Sequence, residues 1–204
     1  MGYTHYLNRP SEIENFGAIA LATKVCCEAV RKLGIDIVGG HGEPDSEPEF
    51  GYDRIWFNGS SKQKTGQWTA EGSFGIVWPS NKSKPIPASD TVVSGQWFGG
   101  AELEKRIAPN GDGSYETLNI SRVYKVNEWS EKDENGNYFD FCKTAYRPYD
   151  ILVMCAYLVT KYYDNRCVIG SDGQANEWKI AVAITAKAIT TEEKALWKLL
   201  EVDS

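Results

Sequence analysis

The sequence lacks the short motifs on which common catalytic sites depend, and it contains little histidine. Only two of its 204 residues are histidines. The patterns H-E-x-x-H, C-x-x-C, G-x-x-x-x-G-K-[ST], G-x-G-x-x-G and G-x-S-x-G do not occur. These patterns mark zinc, phosphate-loop, dinucleotide and serine-nucleophile sites. We therefore predict no metal site and no cofactor.

Long apolar segments and an excess of basic residues are also missing. The longest apolar run, Ile151 to Val159, has nine residues, whereas a helix needs about 20 to cross a bilayer. Lys and Arg total 22 against 28 Asp and Glu, a net charge of −6. We expect no membrane association and no broad nucleic-acid binding. The chain shows no secretory signal, and its five cysteines lack paired spacing, so we predict a cytoplasmic location.

Aromatic residues are abundant, and the N-terminal segment has a regular pattern. Trp, Tyr and Phe make up 12% of the chain. Tyr3 to Leu7 favours a strand, apolar residues then recur at helical spacing up to Leu33, and Ile35 to Val38 favours a second strand. Ser11 and Glu14 have the spacing of a capping box for the intervening helix. This segment is predicted to form a strand, a helix and a strand with a right-handed crossover.

Turn residues and β-favouring segments dominate the middle of the chain. Strands are predicted within Gln67 to Trp78 and Thr91 to Phe98, and Asn135-Gly136 predicts a type I′ hairpin. The fold class is predicted to be α+β: a single domain over residues 1–204, with a mixed sheet and strand-helix-strand units near both ends. A turn-rich antiparallel β insertion is expected around residues 50–137.

The C-terminal unit carries the predicted binding site. Strands at Tyr138 to Lys143 and Arg166 to Gly170 flank a buried helix, so we expect them to be parallel and to end at one sheet edge, where ligands bind in many open sheets. The helix N-terminus is expected to favour an anion, Lys143 and Arg147 to reinforce that preference, and Tyr149 to stack on a ring. The predicted ligand is small and anionic or nucleotide-like. Its contacts from this unit are Lys143, Thr144, Arg147, Tyr149, Asp150, Ser171 and Asp172.

Three further residues complete the predicted site, namely His5 and Tyr6 on the first strand and Asn58 at the end of a later one. In an enzyme, His5 would act as the acid or base, with Asp150 or Asp172 orienting it. Structural interpretations compete with these roles. A buried, backbone-bonded histidine is the favoured interpretation of His5. Asp150 also fits a residue that stabilises the helix dipole, and Ser171-Asp172-Gly173 fits an ordinary turn.

Several motifs are similar to those of an uncharacterised protein family of phage and prophage genomes. They are M-G-Y-T-H-Y at residues 1–6, F-N-G at 57–59, F-D-F-C-K-T-A followed by P-Y-D within 139–150, and S-D-G at 171–173 followed by Trp178. The chain departs from the family pattern at Leu7, where Trp is usual, and in a longer middle insertion at 62–113. The resemblance implies a phage setting, and hence the host cytoplasm, with a shared polar site, but no particular reaction.

Three functions of different classes are compatible with these observations. The first is a ligand-binding protein, in a phage a counter-defence sponge that sequesters a nucleotide-like immune signal. The second is a hydrolase or transferase that acts on a nucleotide or nucleoside. The third is an inhibitor that binds a host protein through exposed aromatic side chains. Assembly into a homo-oligomer is compatible with all three.

Overall fold

The computed structural model describes residues 3–63, 67–68, 74–76, 86–87, 94–95, 101–102, 106 and 108–201. The elements up to residue 102 are, in chain order, β1 (Thr4–Arg9), α1 (Phe16–Lys32), β2 (Ile37–Val38), β3 (Glu49–Phe50), β4 (Arg54–Gly59), β5 (Gln67–Trp68), β6 (Phe74–Ile76), β7 (Ile86–Pro87), β8 (Ser94–Gly95) and β9 (Ala101–Glu102). They are followed by β10 (Leu118–Ser121), β11 (Tyr138–Lys143), α2 (Asp150–Tyr163), β12 (Val168–Ser171), α3 (Lys179–Ala188) and α4 (Glu193–Glu201). Short 3-10 helices lie at Pro109–Gly111 and Ala175–Trp178. These elements confirm the α+β class.

The first sheet contains β1 in the middle, with β11 and β12 on either side. Both outer strands are antiparallel to β1, and His5 lies opposite Cys142 on one side and Ser171 on the other. The outer strands are therefore parallel to each other, and they end at the same edge of the sheet. Every strand pairing among the described residues is antiparallel, whereas the sequence suggested a mixed sheet.

The second sheet has the order β10-β4-β2, and β3 also pairs with β4. The two residues of β2 lie opposite Gly59 and Asn58 of β4. The prediction that β1, α1 and β2 form one crossover within a single sheet is therefore wrong, because β2 pairs with a different sheet from β1. The remaining short strands form the sets β5-β6-β7 and β8-β9. Most of the predicted segments Gln67 to Trp78 and Thr91 to Phe98 lies outside the described residues.

Helix α1 does not begin with the predicted capping box. The residue before it, Asn15, has a left-handed backbone with φ 54° and makes no side-chain cap. The amide of Glu14 donates to Asp164 Oδ2, and the carbonyl of Ser11 accepts from the Tyr124 amide. The first of these contacts uses the Glu14 amide, the donor that a capping box would bond to the Ser11 side chain. The predicted end is correct, since Gly34 follows the helix with φ 86°.

The turn before β11 also differs from the predicted type I′ hairpin. Such a turn needs positive φ at both central residues, and of Asn135 and Gly136 only the glycine has it, with φ 79°. The Asp133 carboxylate accepts from the amides of Asn135 and Asn137, each at 2.9 Å. This side-chain cap supports a different turn, which is closed by a bridge between Lys132 and Tyr138.

The core is formed by the helices together with buried residues of both main sheets, including Ile55 of β4 and Leu118 of β10. Helix α2 is buried along its length from Asp150 to Lys161, in agreement with its uniformly apolar sequence, and it contacts α1, α3 and β12. Each large apolar side chain so buried stabilises the fold by about 1.5–3 kcal/mol. None of the described helices combines the length and apolar character required to cross a membrane.

Candidate functional site

The alternation of β1 divides the predicted site residues between two faces of the first sheet. Tyr3, His5, Leu7 and Arg9 are buried, whereas the even-numbered residues of the strand are partly exposed. Successive side chains of a strand point to opposite faces. His5 therefore faces the core, and Tyr6, its neighbour in sequence, lies on the outer face.

On the inner face, four side chains form a buried polar cluster, here called the Asp150 network. His5 Nε2 lies 2.6 Å from Asp150 Oδ1, and the Thr144 hydroxyl donates to the same oxygen at 2.5 Å. The Arg106 guanidinium lies 2.7 Å from the other carboxylate oxygen, Oδ2. His5, Thr144 and Asp150 have no exposed surface, and Arg106 is 3% exposed.

The charge on Asp150 is stabilised by its neighbours. Burial alone would raise the pKa of this carboxyl, but the Arg106 charge and the interactions with His5 and Thr144 lower it below its usual value. Asp150 is therefore an ionised carboxylate paired with a buried guanidinium. His5 Nδ1 and Arg106 Nε have no hydrogen-bond partner among the described residues.

Aromatic side chains and a second carboxylate cover the Asp150 network. The Tyr3 hydroxyl donates to Glu177 at 2.7 Å, and its ring stacks on Tyr146 with 3.8 Å between centroids. The edge of Trp178 packs against His5 at 5.3 Å. His5 has the acidic neighbour that an acid–base role requires, but it is sealed from solvent, and this arrangement suits a structural network better than proton transfer to a substrate.

The N-terminus of α2 does not offer the anion site that was predicted. Asp150 is the first helical residue and places its own negative charge there. The amide of Asp150 donates to the Arg147 carbonyl, and those of Leu152 and Val153 donate to Tyr149. These amides are therefore engaged within the chain, beside the buried side chains of Tyr149 and Asp150, and they are not offered to an external anion.

Tyr149 is not a stacking surface, contrary to its predicted role. Its side chain is fully buried, and its hydroxyl donates to the carbonyl of Glu116 at 2.5 Å. Burial raises the pKa of the Tyr149 hydroxyl, so this group remains a hydrogen-bond donor. The residue connects the start of α2 to the segment before β10.

A cationic cluster lies at the sheet edge, and we call Tyr115, Lys143 and Arg147 the Tyr115 cluster. Lys143 Nζ lies 5.9 Å and Arg147 Cζ 5.7 Å from the centroid of the Tyr115 ring. Both distances are within the range of cation–π contacts. The Tyr115 side chain is 43% exposed, whereas Lys143 and Arg147 are partly buried, so the cluster combines an exposed aromatic ring with two cations beside it.

Asp172 and Ser171 stabilise the turn at the opposite end of the same edge. The Asp172 carboxylate accepts from the Tyr6 hydroxyl at 2.6 Å and from the Thr4 amide at 3.0 Å. The Ser171 hydroxyl accepts from the Gly173 amide at 2.9 Å. Since Thr4 lies opposite Lys143 in the sheet, the loops that follow β11 and β12 lie at the same edge. The contacts of Asp172 and Ser171 fit a turn as well as a ligand site.

Asn58 lies in the second sheet and uses its side-chain amide internally. Its Nδ2 donates to the carbonyls of Gly40 and Tyr115, while its Oδ1 accepts from the amides of Gly59 and Tyr115. Asn58 is 3% exposed. It fixes the backbone of Tyr115 and is not itself a ligand contact.

The structure therefore separates the predicted residues into groups. His5, Thr144 and Asp150 belong to the buried network, Lys143 and Arg147 to the exposed cluster, and Tyr6, Ser171 and Asp172 to the outer turn. Sequence reasoning missed Arg106, Glu177 and Tyr115. Arg106 and Tyr115 stand in a turn-rich region without periodicity, whereas Glu177 adjoins Trp178 of the noted S-D-G motif, which was a usable signal.

Comparison with protein-family models, with curated proteins and with solved structures finds no match to this chain. Within the described part of the chain, no group of three or more His, Cys, Asp or Glu side chains is arranged to hold a metal ion.

Proposed function

We propose that the chain is a binding protein for a small anionic ligand that contains a ring, of the nucleotide-like class, and that the Tyr115 cluster is its site. The observation that carries this proposal is the sharing of one exposed tyrosine ring by two cations, Lys143 and Arg147. Phosphate groups pair with such cations through charge-assisted hydrogen bonds. Nucleobases stack on exposed aromatic rings.

The surroundings of the cluster support this role because they hold it in place. Asn58 binds both backbone groups of Tyr115, and Tyr149 binds the carbonyl of Glu116. The Glu116 carboxylate accepts from the backbone amide of Lys143 at 2.7 Å. A site whose supporting residues are fixed before binding loses less entropy when the ligand arrives.

The biological setting that we propose rests on the resemblance of the sequence motifs to those of phage and prophage proteins. In that setting the ligand would be a nucleotide-like immune signal, and binding without turnover would sequester it. The burial of His5 and Asp150 supports binding over catalysis, since the acid–base pair of the chain faces the core.

Isothermal titration with ADP-ribose and with cyclic dinucleotides tests the proposal. Lys143→Ala is expected to weaken binding by about 10- to 150-fold, the equivalent of about 1.5–3 kcal/mol for a charge-assisted hydrogen bond. Lys132→Ala is the matched control. Lys132 also lies over a tyrosine ring, 5.2 Å from the centroid of Tyr138, but it does not belong to the Tyr115 cluster. The absence of any binder, or equal affinities for the two variants, would exclude the proposed site.

A second candidate function is the binding of a host protein through the outer face of the first sheet. Phe139 and Phe141 are 52% and 51% exposed, and their ring centroids are 5.9 Å apart, as are those of Phe139 and Tyr6. Exposed apolar patches of this kind mark interaction sites. The double variant Phe139→Ser, Phe141→Ser should lose any host protein that co-purifies with the wild type, whereas Lys143→Ala should retain it.

A further inference from the structure

A groove separates the two sheets where their edge strands β10 and β11 face each other. The strands are connected at one end by a hydrogen bond from the Glu116 amide to the Lys143 carbonyl, at 3.3 Å. Near the other end, the Tyr124 hydroxyl reaches the Phe139 carbonyl at 3.5 Å. The groove between them, here called the seam groove, has a volume of about 210 Å³. Its walls include Arg9, Asn119, Ser121, Tyr124, Lys125 and Asp140.

The seam groove contains a buried positive charge that no carboxylate neutralises. Arg9 is 1% exposed, and its guanidinium donates to the carbonyls of Pro10, Ser121 and Arg122. No carboxylate of the described residues lies within 4.0 Å of it. These three bonds engage each nitrogen of the guanidinium once, although its five N–H groups allow two more, and its Cζ lies 5.7 Å from the centroid of the Tyr124 ring. Buried charges are normally paired, as the equally buried Arg106 is with Asp150.

The acid nearest to this charge along the groove does not neutralise it. Asp140 accepts a hydrogen bond from the amide of Phe141 and acts on Arg9 only through space. Burial raises the pKa of Asp140 to about 6, although its bond from Phe141 and the Arg9 charge act in the opposite direction. Lys125, which is exposed, adds a second positive charge at the rim.

We propose that the seam groove is a binding site for a small oxyanion of the sulfate or phosphate type, which pairs with the Arg9 guanidinium. Lys125 supplies long-range attraction at the rim, and the side chains of Asn119 and Ser121 supply neutral hydrogen bonds. A tetrahedral oxyanion has enough acceptors for all of these donors, and the groove exceeds its volume several times. This site is separate from the Tyr115 cluster, and it stands independently of the function proposed there.

Asp140 gives the proposed site a pH dependence. Its ionised carboxylate repels an oxyanion, and its neutral form does not, so affinity should increase as the pH falls through about 6. The charged and titratable groups around it are Arg9 from β1, Tyr124 and Lys125 from the wall, Cys142 on its own strand and Tyr157 from α2. Asp164 and Cys167 lie beyond Arg9. Cys142, Cys167 and Tyr157 stay neutral in this range, because burial raises the pKa of each of them.

Sulfate is the suitable probe because its charge is constant between pH 5 and pH 8. We would titrate the protein with sulfate at constant ionic strength and follow the Arg9 Nε–H signal by NMR at pH 5.5 and pH 7.5. The wild type should bind about five to ten times more tightly at the lower pH, the size expected for removal of one charge in a half-open groove. Asp140→Asn should bind at pH 7.5 as tightly as the wild type at pH 5.5, with no pH dependence.

Lys125→Ala should weaken sulfate binding by about twofold to fivefold, and Lys24→Ala, an exposed lysine of α1, should leave it unchanged. An Arg9 signal that does not move at either pH would overturn the proposal, as would an Asp140→Asn variant with wild-type pH dependence. Circular dichroism of each variant verifies that it is folded. Since the Arg9 signal reports this groove alone, either result leaves the Tyr115 cluster to its own test.

Discussion

Replacement of Asp150 by Ala is the perturbation that best tests the buried network. The side chain has no exposed surface, and its carboxylate interacts with His5, Thr144 and Arg106. Removal leaves the Arg106 guanidinium buried without a counter-charge, and breaking a buried ion pair from one side costs about 3–5 kcal/mol. The unpaired groups of His5 and Thr144 add to this loss, but such contributions within one network do not sum. We expect a total loss of about 4 kcal/mol, a large fraction of the 5–15 kcal/mol typical of a domain.

Urea unfolding monitored by circular dichroism measures this loss as a lower midpoint at constant slope. Asp172→Ala is the matched control, since this exposed carboxylate also accepts two hydrogen bonds, and we expect it to cost at most about 1 kcal/mol. Because the pKa of Asp150 is lowered in the folded protein, its contribution is complete above about pH 4 and decreases as the pH falls below that value. Equal midpoints for the two variants would show that the Asp150 network does not stabilise the fold.

Three further predictions concern other parts of the molecule. Asp140→Asn should raise the melting temperature at pH 7.5 and leave it unchanged at pH 4. The pKa of Asp140 is raised in the folded state, so the wild type becomes less stable as the pH rises from about 4 to 6. A melting temperature that the substitution leaves unaffected at both pH values would contradict this. Gly40→Ala should destabilise the folded protein by about 1–3 kcal/mol, because an added Cβ would overlap the ring of Trp56. Gly51→Ala is the control in the same urea titrations, because a Cβ at that position meets only ordinary contacts. All five cysteines are buried, so iodoacetamide should leave the native protein unlabelled and modify five thiols in guanidinium chloride; rapid labelling of the native state would contradict the packing of α1 and α2.

The local and periodic features of the fold could be predicted from the sequence. In β1 one face is buried, in α1 one stripe, and in α2 the whole helix. Each kind of burial gives a characteristic pattern of apolar residues in the sequence. The common edge of β11 and β12 could also be predicted, because a buried helix between two strands constrains their directions. The partner of β2 could not, since two apolar residues carry no information about which sheet they join.

Features that depend on competition between tertiary and local contacts could not be predicted. Ser11 and Glu14 have the spacing of a capping box, yet Asp164 binds the Glu14 amide from 150 residues away. Asn135-Gly136 favours a type I′ turn, yet the carboxylate of Asp133 supports another geometry. In each case the local preference is worth about 1 kcal/mol, and one competing side-chain contact is enough to reverse it, from a distant residue for Glu14 and from within the same turn for Asn135.

The same competition explains why the predicted site residues were found together but with different roles. A polar residue in an apolar segment needs a partner, because an unpaired polar group in the core is costly. That argument identifies His5, Thr144 and Asp150 as a group, but it applies equally to a ligand and to another side chain. Arg106 supplies the counter-charge from a segment without pattern, so the carboxylate of Asp150 is paired within the chain. Arg9 has no such carboxylate, and Lys143 and Arg147 lie beside the exposed ring of Tyr115, so the cations for which we propose an anion lie outside the Asp150 network.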